Sequence, residues 1–101
     1  MVSVKINEKA LRIKDCLSLS KGIKGLMFSK LKHTDGAILK CNNIHTAFCR
    51  PLDIAWLDSS LGIIRIEKTR PWRTYHCSSA VYVLELKQGL VKEFKNLEIE
   101  I

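Results

Sequence analysis

Long apolar runs are missing from this chain. No stretch approaches the roughly 18 uninterrupted apolar residues of a membrane-spanning helix, so such a helix is excluded. Proline and glycine are scarce, two and five in 101 residues, which excludes collagen-like and low-complexity chains. No block of consecutive Lys and Arg occurs, and no aromatic-rich strand of the RNA-binding type is interleaved with the basic residues. The four cysteines, Cys16, Cys41, Cys49 and Cys77, contain no C-x-x-C pair and are too sparse for a disulfide scaffold. Met1-Val2-Ser3-Val4-Lys5-Ile6 becomes charged too soon for a signal peptide. The expectation is therefore a cytoplasmic chain with four reduced, mostly buried thiols.

What remains is ordinary for a soluble globule: 47% hydrophobic and 27% charged residues, enough for one core and too apolar for disorder. The length fits a single domain over residues 1–101. The net charge is +7, and it is one-sided. Residues 1–50 carry ten cations and three anions, whereas residues 51–101 carry seven of each. Lys21, Lys24, Lys30 and Lys32 form a candidate basic patch for an anionic partner; a solvated face is the plainer reading.

Periodicity points to short strands. Residues 2–6 and 9–16 alternate, with Asn7-Glu8 as a hairpin turn. Leu19, Ile23, Leu26 and Met27 change the period to one helical face, so one short helix is expected over 19–27. Gly22 and Gly25 weaken that helix and permit close packing there. Further strands are expected over 37–41, 44–49, 52–58, 63–68, 80–87 and 97–101. Residues 58–62 read as a hairpin connection, residues 69–79 as an irregular loop, and Gly89 as the start of a helical turn. The expected fold is mainly β: a compact sandwich or barrel of about seven or eight short strands with one helix.

Several groups of residues are candidates for chemistry. Cys41, His45 and Cys49 have zinc-like donors, but on an extended strand four residues span about 13 Å, so one ion cannot join them. Neither a metal nor a cofactor is expected. Cys49 with His45 or His76 and Asp53 is a nucleophile set on paper, against the plainer reading of buried thiols and a hydrogen-bonded histidine. Asp53 and Glu85 each interrupt an apolar strand. They either face solvent, as alternation allows, or line a cleft as an acid–base pair beside His45 or Arg73. Pro71-Trp72-Arg73 puts an aromatic ring and a guanidinium side by side in a loop. Trp72 either plugs the end of the sandwich or stacks a ligand together with Trp56 and Tyr82.

Gly25-Leu26-Met27, Ile44-His45-Thr46 with Phe48, Pro51-Leu52-Asp53-Ile54 leading to Trp56-Leu57-Asp58, Pro71-Trp72-Arg73, and Val83-Leu84-Glu85-Leu86 with Gly89 occur in an order that resembles Domain of Unknown Function family 192. This is a bacterial and archaeal family, and the likeness runs from about residue 11 to the C-terminus. It implies a compact, mainly β domain with a short helix; it implies no reaction and carries over no catalytic residue. Gly22, where relatives often have Arg, Cys49 in place of Met, and Lys95-Asn96 in place of Gly-Asp depart from the family pattern. The first reading is a non-enzymatic β-sandwich module that binds a protein partner or an anionic ligand. Its expected surface is His45, Thr46, Asp53, Trp72, Arg73 and Glu85. The alternatives are a hydrolase with a carboxylate/His site and a weak nucleic-acid binder acting through the basic N-terminal half.

Overall fold

The structure is a computed structural model that describes residues 2–17, 35–45, 51–70, 72–90, 93–94 and 96–101, with only the backbone of His45. Ten strands lie among them: β1 (Ser3–Ile6), β2 (Lys9–Leu11), β3 (Ile13–Cys16), β4 (Gly36–Leu39), β5 (Asn43–His45), β6 (Leu52–Leu57), β7 (Ile63–Lys68), β8 (Thr74–His76), β9 (Tyr82–Lys87) and β10 (Glu98–Glu100). The chain is mainly β, with more strands than the seven or eight expected. No helix occurs among the described residues; the helix expected over 19–27 lies outside them.

The strands form three sheets, ordered β10-β1-β2, β3-β4-β9-β6-β7 and β5-β8. None of them closes among the described residues, so the barrel alternative is not met. The five-stranded sheet is antiparallel except for β3 against β4, which run parallel. Its middle strands β4, β6 and β9 are buried along nearly their whole length because both faces are covered. On one face Ile38, Ala55, Leu57, Leu84 and Leu86 meet Val4, Ile6 and Leu11 of the three-stranded sheet. On the other, Ala37, Leu39, Leu52, Ile54, Trp56 and Val83 pack with Cys16 and with Ile44 and Cys77 of the β5–β8 ribbon. Two apolar clusters thus sandwich one sheet between two others.

Local chemistry explains the connections. Ile6 pairs with Lys9, so Asn7 and Glu8 form a two-residue hairpin loop, and both have the positive φ (55° and 69°) that such a turn requires. The segment 9–16 is two strands and not the single strand expected. It breaks at Arg12, whose N–H donates to Asp35 Oδ2 (2.7 Å) and whose carbonyl accepts from Asp35 N (2.7 Å) as the chain passes from one sheet to the next. At 58–62 the Asp58 carboxylate accepts from Ser60 N (2.8 Å) and Gly62 N (2.9 Å), which sets the turn into β7. Gly36 is needed for the β4–β9 approach: a Cβ there would sit 2.0 Å from the Glu85 carbonyl.

Candidate functional site

Asp53 and Glu85 sit on neighbouring strands but do not converge. The register puts Asp53 opposite Leu86, and Glu85 opposite Ile54. Directly opposed residues share a face, so the two carboxyl groups emerge on opposite faces of the sheet. Neither faces solvent: they are 6% and 3% exposed. Neither sequence alternative holds: the carboxyls are not on a solvated face, and they do not come together as an acid–base pair. Asp53 accepts from the Gly89 amide through Oδ2 (3.2 Å), which ties the β9 turn to β6, and its Oδ1 has no partner among the described residues.

Glu85 lies on the ribbon-covered face, between Ala37 of β4 and Ile54 of β6. Its Oε1 is buried with no hydrogen-bond partner among the described residues. Burial pushes its pKa up to about 8, so the group is mostly a neutral acid at pH 7. Cys41 and Cys16 beside it follow the same rule. Burial raises Cys41 to about 11, against the lowering effect of the Asn43 backbone hydrogen bond. Burial also raises Cys16, with Glu85 and Asp15 adding to the rise and Lys14 opposing it. Cys16, Cys41 and Cys77 form no disulfide. Protonated thiols are poor nucleophiles and poor metal ligands. Among the described residues no group of three or more His, Cys, Asp and Glu is placed to hold a metal ion. Cys49 and the His45 side chain lie outside the described residues.

A second region is open to solvent. β7 is an edge strand, and five of its six residues are exposed, including Ile63 (39%), Ile64 (39%) and Ile66 (46%). A bulge opposite Trp56 and Leu57 breaks its alternation at Ile64. Thr69 N donates to Leu52 O (2.8 Å), so by alternation Glu67 and Arg65 aim their backbone groups at β6. Ile66 and Lys68 then aim theirs outward. On the ribbon side, Glu67 Oε2 accepts from Trp56 Nε1 (2.7 Å) and from Arg65 (3.2 Å), and the Arg65 guanidinium also donates to the His76 carbonyl. This network holds β8 over the sheet, and among the described residues no strand pairs with the outer edge of β7.

The expected surface residues divide accordingly. His45 pairs with Thr74, which places its backbone beside Arg73 and Trp72 at one end of the ribbon. Trp72 is 64% exposed and has φ 64°, so it does not plug the sandwich. Trp56 is fully buried and Tyr82 packs in the other cluster, so the three-aromatic platform is not formed. Asp53 and Glu85 belong to the interior, and Thr46 lies outside the described residues. So do Lys21, Lys24, Lys30 and Lys32.

A family model described as "Uncharacterized ACR" matches residues 2–99, nearly the whole chain. The chain belongs to DUF192. Of the residues that carry the likeness to DUF192, Asp53 and Glu85 are thus interior, and Trp72 and Arg73 are on the surface. No curated protein and no solved structure matches the chain. Sequence reading missed the open edge of β7. Its signal was present in Arg65, Glu67 and Lys68, since charges along a strand mark an edge.

Proposed function

We propose that this chain is a small, non-enzymatic β-sandwich module that binds a protein partner, through an acidic extended strand of that partner, along the outer edge of β7 and the β7–β8 connection. The observation that carries the reading is the exposed row Ile63, Ile64 and Ile66 on an open edge strand set among cations. Residues 63–76 hold Arg65, Lys68, Arg70 and Arg73 against Glu67 alone. An extended partner strand would hydrogen-bond the outward backbone groups of Ile66 and Lys68, rest apolar side chains on the isoleucines and set carboxylates against the cations. Trp72 and Arg73 would extend the contact beyond the strand; aromatic rings and Arg are the residue types that most often anchor interfaces. The left-handed φ of Trp72 supports this, since such conformations gather at binding sites. The three unbridged thiols suit a reducing compartment, which we take to be the cytoplasm. The hydrolase reading, with Asp53 or Glu85 as general base beside His45, is less supported, because both candidate bases are buried, at 6% and 3% exposure.

The test is fluorescence anisotropy with a labelled peptide of alternating Glu and Val. Binding is expected, with a loss of about tenfold or more on Ile66→Lys, a change of about 1.4 kcal/mol. Trp72→Ala should weaken it severalfold. No binding, or binding indifferent to Ile66→Lys, would overturn the reading. So would binding of a single-stranded oligonucleotide in place of the peptide, with a steep salt dependence.

A further inference from the structure

Among the described residues the molecule carries two strand edges of complementary character. One is β7, apolar and basic. The other is β10, at the end of the three-stranded sheet. Its segment Leu97-Glu98-Ile99-Glu100-Ile101 alternates aliphatic and acidic residues. Glu98 and Glu100 are exposed, Leu97 and Ile99 are half-buried with one side against the chain's own apolar cluster, and Ile101 is 57% exposed. That is the pattern the β7 edge asks of a partner: carboxylates on one face and aliphatic groups on the other.

We propose that the partner of β7 is a second copy of this chain, which adds its β10 as an antiparallel strand. The proposal rests on the reading of β7 as a protein-binding edge. One register satisfies both faces. With Arg65 opposite Glu98, Ile66 faces Leu97 and Glu67 faces Asn96, and the regular pairing ends at the bulge of Ile64. Glu100 then lies diagonal to Arg65, within reach of a long side chain. Aliphatic residues meet aliphatic ones on one face, and the ionic pair forms on the other. Pairing of β7 with β7 is disfavoured, because the bulge at Ile64 and the excess of cations around it oppose a like edge. The contact joins different surfaces of the two copies. It therefore propagates head to tail, into a ring if the rotation closes and into an open chain if it does not. A single added strand buries little area, which places the contact in the weak, transient class.

Sedimentation velocity over a wide protein concentration range tests this, alongside amide NMR of the ¹⁵N-labelled chain. The expected result is concentration-dependent association, with line broadening confined to Ile63–Lys68 and Leu97–Ile101. Glu98→Lys, on an exposed position, should abolish the association while leaving the circular dichroism spectrum unchanged. Arg65→Glu should do the same, and the chain carrying both changes should regain it. As Arg65→Glu also removes the Glu67 and His76 contacts, Ile66→Lys serves as a second variant on the same edge. A monomer at every concentration would overturn the inference, as would association indifferent to Glu98→Lys. A synthetic peptide of residues 96–101 separates the two levels of the argument. If neither it nor the alternating Glu/Val peptide binds, the reading of β7 falls as well. If the Glu/Val peptide binds and the chain stays monomeric, only the choice of partner is wrong.

Discussion

Glu85 is where burial and charge are most directly opposed. In the unfolded chain its carboxyl ionises near the ordinary 4.5, and in the fold only near 8. Between these values the folded chain holds the extra proton, so stability falls as pH rises from about 5 to about 8 and levels off above. Glu85→Gln removes the titrating group and should flatten that profile, raising the urea midpoint most at alkaline pH. The loss at pH 8 in the parent chain is on the order of a few kcal/mol. A parent midpoint that stays constant from pH 5 to pH 8 would contradict the burial of this group. Trp56 makes a second residue-scale case. Its indole N–H is buried and donates to Glu67 Oε2 (2.7 Å). Glu67→Ala should cost about 1–3 kcal/mol, because the donor loses its partner, whereas Glu98→Ala on the exposed β10 should cost less than about 0.5 kcal/mol.

At the scale of elements, two positions carry the backbone argument. Gly36 lets β4 and β9 come together where a Cβ would meet the Glu85 carbonyl. Gly36→Ala should destabilise the fold by about 1–3 kcal/mol or more, read as a lower thermal midpoint. Glu8 sits in the left-handed region of the β1–β2 turn at φ 69°. Glu8→Gly should raise stability by about 1 kcal/mol, since glycine adopts that φ without strain. The same elements show how far the sequence could be read. The bounds of β7 followed from alternation and the flanking turn. The split of 9–16 did not, because Arg12 changes sheets without any break in the apolar pattern. β8 is three residues long in a segment punctuated by proline and tryptophan, too short for a period to register. Asp53 and Glu85 show a deeper limit. Alternation tells which residues within one strand share a face, but the register between strands comes from tertiary packing. A shift of one residue would have put the two carboxyls side by side.

At the scale of the whole molecule, the described residues form a five-stranded sheet between a three-stranded sheet and a two-stranded ribbon. This layering explains why Asp53 and Glu85, which looked like chemistry in the sequence, are interior. Burial holds Glu85, Cys16 and Cys41 in their neutral forms. Among the described residues, exposed groups gather at the margins of the layers, including the outer edge of β7 and the loop of Trp72 and Arg73. The central claim is that this margin is the binding surface. An amide NMR perturbation map tests it most directly, with the ¹⁵N-labelled chain titrated with the alternating Glu/Val peptide. The account predicts shifts at Ile64, Ile66, Lys68, Trp72 and Arg73, with Val83, Leu84 and Leu86 of the central strand unmoved. Shifts that avoid β7, or a spectrum unchanged at saturating peptide, would contradict it.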